Sequence, residues 1–289
     1  MQASPELRAR ALHCLTERDP SAKVAAVYAM FEAQQQGGCA PDPQAVLASS
    51  ADIPGRPDQP ELVPPLQVGR RAMNTVEGRA MLIHALAHIE FNAINLALDA
   101  IWRFPGLPAA YYTDWLQVAK EEAYHYSLLE EHLQKQGYHY GQFSAHDSLW
   151  EMVANTSDDV LARMALVPRT LEARGLDANP PLRAKLWQAG DKEAAAILDI
   201  ILRDEIGHVE IGNRWYGFLC RQRGLELIPA YAELARQYNA PTPRGPFNLD
   251  ARRQAGFTDE ELQLLDTRDV RLTGAGRGVQ PPPDVARKA

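Results

Sequence analysis

The sequence predicts an all-α protein centred on a four-helix bundle. Three observations carry this. No stretch alternates apolar and polar residues over a useful length, so strands are not expected. Long segments carry apolar residues at alternating steps of three and four, the seam of a helix that faces a core. Capping residues, prolines and glycines mark where these segments start and stop.

In chain order, Pro5 to Glu17 and Pro20 to Gln36 read as two helices. Asp19-Pro20 opens the second and Gly37-Gly38 closes it. Seven prolines between Ala40 and Arg71 forbid a long helix. That stretch reads as an extended strap over the bundle, or as a disordered linker. The first bundle helix is expected from about Thr75 to Arg103, with Asn74 and Glu77 resembling a capping box. Its seam is Ile83, Leu86, Glu90, Ala93, Ala97 and Ala100. The second is expected from Pro108 to Gln136, with the seam Tyr111, Trp115, Val118, Glu122, His125 and Leu129.

Tyr138 to Asn155 is a longer connection, compatible with a crossover. The third bundle helix starts near Thr156 to Asp159 and is expected to end at Gly175. Pro168 interrupts it one turn before Glu172; the resulting bend either shapes a site or is a tolerated kink. A short helix is expected over Pro180 to Ala189. The fourth bundle helix runs from Asp191 to about Arg223, with the seam Ala194, Leu198, Ile201, Glu205, His208, Gly212 and Trp215. Gly207 inside it costs about 1 kcal/mol against alanine, and close approach of a neighbour is a reason to keep it. Helices near Ile228 to Tyr238 and Thr258 to Leu265 follow, and Gly274 to Ala289 reads as a frayed tail. Three regions result: residues 1–74 with N-terminal helices and strap, 75–224 with the bundle, and 225–289 with a helical extension and tail.

The chemistry lies on the seams. Glu122 and His125, and again Glu205 and His208, form Glu-x-x-His pairs one turn apart on core-facing stripes. A lone buried carboxylate is costly unless it is paired or bound to metal. Glu90 precedes Glu122 by 122 − 90 = 32 residues, and Glu172 precedes Glu205 by 205 − 172 = 33. Two hairpins thus repeat one plan, and the plan is that of a dinuclear metal site. Glu90, Glu122, His125, Glu172, Glu205 and His208 are the candidate ligands. Four carboxylates balance two divalent cations. Oxygen-rich ligands with two imidazoles favour iron or manganese, and zinc remains an option.

These motifs resemble those of the ferritin-like di-metal carboxylate superfamily, over about Thr75 to Arg223. The segments His88-Ile89-Glu90, Leu202 to His208 and Asn213-Arg214-Trp215 resemble more closely the bacterial ferritin-like family DUF455, which has no established activity. The resemblance implies oxygen or peroxide chemistry at two metals and names no substrate. It also implies that Asp204 and Glu121, each directly before a ligand glutamate, hydrogen-bond the metal-binding histidines. A solvent-facing acid is the alternative for both.

The expected function is therefore an oxygen- or peroxide-dependent oxidase or hydroxylase, with dioxygen or peroxide and a small-molecule substrate as partners. A ferroxidase or iron-handling protein, or a non-catalytic interaction module stabilised by metal, are the alternatives. Net charge of −7 gives no support for nucleic-acid binding. No run of about eighteen apolar residues stands out as a membrane span. Cys14, Cys39 and Cys220 are scattered and odd in number, which reads as reduced thiols in a cytoplasmic protein. A homodimer is an open option. Tyr124, Tyr126, Trp115 and Trp215 read as packing more than as redox groups. His84 and His88 do not share the direction of Glu90 and read as structural. Arg163, Arg169 and Arg174 read as solvated charges that could also meet an anionic substrate.

Overall fold

A computed structural model describes residues 6–69 and 72–265. The protein is all-α. The only β-type pairing among the described residues is one isolated bridge between Leu62 and Ala145. Two helix hairpins form the centre. The first joins α3 (Val76–Arg103) to α4 (Ala109–Lys135). In the second, α7 (Ala173–Gln188) packs on α8 (Lys192–Gln222), and α4 and α8 bring the hairpins together. The seam residues of α4 and α8 named above are all buried, as their spacing requires.

The N-terminal helices α1 (Leu7–Thr16) and α2 (Pro20–Gln35) pack on α3 and α4 and share one continuous apolar core with them. Asp19 caps α2 by accepting from the Ala22 amide. Thr75, rather than Asn74, caps α3 by accepting from the Gly78 amide. The proline-rich stretch is a strap laid on the helices. Gly55 donates its amide to the Leu15 carbonyl at 2.8 Å, and a Cβ at Gly55 would overlap the Thr16 carbonyl. Farther on, Val63 donates to the Ala145 carbonyl, and Arg56 pairs with Asp147 at 2.7 Å.

Several expected boundaries move. The long connection after α4 contains a helix, α5 (Ser148–Asn155). The third bundle helix does not stop at Gly175. It begins as α6 (Val160–Leu166), passes through a π-helical segment, Val167–Glu172, and continues as α7 without a break at Pro180 and Pro181. Proline lacks the amide that would bond the carbonyl four residues back. At Leu176, the carbonyl orphaned by Pro180 accepts from the side-chain amide of Asn248 at 3.2 Å instead. A distant residue thus satisfies the acceptor that would otherwise end the helix.

Downstream, α9 (Leu227–Gln237) and α10 (Leu249–Gln254) pack on the bundle. Thr258 and Glu261 then cap a last helical turn reciprocally. The expectation for Gly274 to Ala289 lies outside the described residues. By length and composition α3 could cross a membrane, yet 78% of its most apolar window is buried inside the protein.

Gly207 meets no neighbour within 4 Å, so close approach does not explain it. Gly212 is the glycine under that constraint, pressed against Pro168. Arg163 and Arg169 are not solvated. They are buried and paired with Asp99 and Glu261, while Arg174 is exposed.

Candidate metal centre

The seams of α3, α4 and α8 bring one carboxylate or imidazole atom from each of Glu90, Glu122, His125 and Glu205 within 4.8 Å of one another. All four residues are buried. This is a buried Glu/His cluster able to hold a metal ion. His208 adjoins it: its Nδ1 lies 2.9 Å from Glu122 Oε1 and 3.8 Å from Glu205 Oε1. His125 Nδ1 lies 3.4 Å from Glu122 Oε2 and 3.5 Å from Glu90 Oε2. Glu122 therefore touches the imidazoles of both hairpins. Glu172 enters from the end of the π-helical segment, is buried, and feels the charges of Glu205 and Glu122.

The outer nitrogens of both imidazoles are already engaged. His125 Nε2 is 3.1 Å from Asp204 Oδ2, and His208 Nε2 is 2.8 Å from Glu121 Oε2. A carboxylate only accepts, so each Nε2 carries the hydrogen and donates it. In a neutral ring the lone pair is then on Nδ1, the atom that faces the cluster. Both Nδ1 atoms, both oxygens of Glu122, and Oε2 of Glu90, Glu172 and Glu205 are buried with no hydrogen-bond partner among the described residues. Seven acceptor atoms are thus collected in one dry space with nothing to accept from.

Electrostatics follow from that geometry. Burial, and then Glu122, raise the pKa of Glu90; burial, Glu205 and Glu122 raise Glu172 well above the ordinary carboxylate value. Glu205 is raised by burial and by Glu122. Burial works against charge on Glu122 as well, but His208 and His125 outweigh it and hold this carboxyl far below the usual range. Burial opposes protonation of His125, yet Asp204, Glu122 and Glu90 overcome it and push the ring up to about 12. His208 is raised well above its ordinary value against the same burial cost, by Glu122 and Glu121. The bare cluster therefore holds protons where its acceptors crowd. Divalent cations supply the same positive charge without them.

Two supporting residues have no place in the seam pattern. Arg203 donates to Asp204, 2.8 Å from Nε to Oδ1, and Gln117 donates to Glu121 at 2.5 Å. These contacts hold the outer carboxylates ionised and oriented. Gln117 stands four residues before Glu121, a helical spacing that could have pointed to it. Of the aromatic residues near the seams, Trp115 and Tyr126 are buried, Trp215 donates its indole N–H to Asp114, and Tyr124 is exposed.

The family model for DUF455, described as a protein of unknown function, matches residues 16–263. A Haemophilus influenzae protein described as uncharacterized is 53% identical over 221 residues, 74% of this chain and 77% of that one. No solved structure matches.

Proposed function

We propose, from the premise that the chain belongs to the DUF455 family, that it is a di-metal carboxylate protein of the ferritin-like type that carries out oxygen- or peroxide-dependent oxidation of a small molecule. The observation that carries this reading is the set of seven buried acceptor atoms with no donor, drawn from all six seam residues. A satisfied core does not collect unmet lone pairs in this way, because each costs about 1–3 kcal/mol. Cations meet all of them at once.

Each residue has a distinct part in such a centre. Asp204 and Glu121 hold each imidazole in the tautomer that offers Nδ1. Glu122 lies between His125 and His208, and Glu205 shares both groups of neighbours, so these two would hold both ions. Glu90 with His125, and Glu172 with His208, would complete the two sides. Four glutamates carry four negative charges, and two divalent cations cancel them. Iron or manganese suits this oxygen-rich set with two nitrogens, and would supply redox chemistry with dioxygen or peroxide when bound. Burial keeps bulk water from the cage. Among the described residues near the cluster no paired nucleophile and base suggests hydrolysis.

The test is anaerobic loading with ferrous iron followed by rapid mixing with oxygen, with peroxide and a manganese-loaded sample in parallel. A ferric absorption band within seconds supports the reading. Silence of both metals toward both oxidants, with hydrolytic activity after zinc loading, would remove the oxidoreductase assignment and leave the metal site.

A further inference from the structure

The strap and α3 enclose a second polar pocket, lined by Arg56, Pro60 and Leu62 of the strap and by His88, Asn95 and Tyr140. Its space is ≈ 280 Å³ counted to the open mouth, enough for a few heavy atoms and too little for a nucleotide. Asn95 is 1% exposed. Its Oδ1 accepts from the Lys23 ammonium at 2.5 Å. An ammonium only donates, so this contact fixes which end of the amide is oxygen and leaves Nδ2 as the other. Asn95 Nδ2 is buried and has no hydrogen-bond partner among the described residues. A buried donor left in that state costs about 1–3 kcal/mol, so the pocket calls for an acceptor.

Charge selects the kind of acceptor. Lys23 is fully buried, also donates to the carbonyls of Leu15 and Gly55, and sits 5.0 Å over the Phe91 ring that lines the pocket. Arg56 contributes a second positive charge and uses Nη2 on Asp147. His88 adds none, because burial lowers its pKa to about 4. Two cations against one carboxylate leave the surroundings with one positive charge to spare. An unmet donor beside a guanidinium excludes a metal cation and suits a small anion with two oxygens.

We propose that this pocket binds a small planar oxyanion of the carboxylate or bicarbonate type, held by the Asn95 amide and the Arg56 guanidinium. The site does not depend on the metal reading, since none of its lining residues belongs to the Glu/His cluster. It also makes the strap part of a binding site. Arg56 comes from the strap and Asn95 from α3, so the site exists only while the strap is seated.

Formate is the probe, titrated into the full chain at pH 6, where the Lys23 ammonium is charged, with binding read by the line width of ¹³C-formate. One saturable site is expected. Asn95→Asp keeps an oxygen for Lys23 but replaces the donor with an acceptor. A hydrogen bond to a charged group contributes about 1.5–3 kcal/mol, so that variant should bind formate at least about tenfold more weakly. Glu172→Gln, altered in the Glu/His cluster, should bind formate as the wild type does. Absence of saturable binding would mean that the pocket holds water only and would overturn the proposal. So would undiminished binding by Asn95→Asp, or loss of binding in Glu172→Gln, which would place formate at the Glu/His cluster instead.

Discussion

Gly212 and Pro168 are packed so closely that a Cβ on Gly212 would lie 2.5 Å from Pro168 Cβ and 2.6 Å from its Cγ. Gly212 follows His208 by one turn of α8, and Pro168 precedes Glu172 by one turn in the π-helical segment. The contact therefore sets how near the Glu172 backbone comes to the helix that carries Glu205 and His208. A π-helical turn redirects the side chains that follow it, and such turns gather at functional sites. Gly212→Ala must push the two segments apart. A cost of about 1–3 kcal/mol is expected from overpacking. Metal bound per chain should fall as Glu172 withdraws, read by elemental analysis beside a urea melt. Unchanged metal content in a destabilised variant would leave the contact a packing feature alone.

Asp204 orients His125 without belonging to the inner group. Asp204→Asn keeps the size and removes the charge that fixes the ring. Metal affinity should drop about 10–100-fold with the helical content intact. Competition with a chelator measures it. An unchanged affinity would remove Asp204 from the site.

Metal should stabilise the fold. Acceptors that crowd one another in the bare protein are satisfied only when cations are bound to the native state. At 100 times the dissociation constant, mass action adds about 2.7 kcal/mol for one site. Thermal melts of metal-free and saturated protein should therefore separate clearly. Coincident melts at saturating metal would contradict a cation held in the buried cluster.

Lys23 gives the protein a distinctive pH dependence. Burial lowers its pKa to about 7, from 10.5 in the unfolded chain. Between those values the unfolded state holds a proton that the folded state does not, so this residue makes stability rise with pH from about 7 to 10.5, by at most about 1.4 kcal/mol per pH unit. Below pH 7 both states hold the proton and the dependence vanishes. Wild type should thus gain on Lys23→Met as pH rises from 7 to 10 in urea melts. A constant difference would show that the oxygens of Leu15, Gly55 and Asn95 keep the ammonium charged throughout.

Much of the centre was legible from spacing alone. Steps of three and four set Glu122, His125, Glu205 and His208 on buried faces, and the offset of about 100° per residue set Glu121 and Asp204 beside those faces, where they meet the outer imidazole nitrogens. The course of the third bundle helix was not legible. Gly175 and Pro180-Pro181 are local stop signals, and they are overruled by Asn248, 72 residues from the Leu176 carbonyl it satisfies. Gly207 and Gly212 look alike in the sequence, and only the position of Pro168 tells them apart. The oxyanion pocket was hidden for a similar reason. Arg56 and Asn95 meet through the path of the strap, which proline content shows to be extended but does not place.

The number of metal ions held by the purified chain bears most directly on the Glu/His cluster. Protein reconstituted with ferrous iron or manganese, freed of loosely bound ions and analysed for metal, should contain about two per chain, and Glu205→Ala should lose them. Less than half an equivalent in the reconstituted wild type would contradict a metal centre at Glu90, Glu122, His125, Glu172, Glu205 and His208.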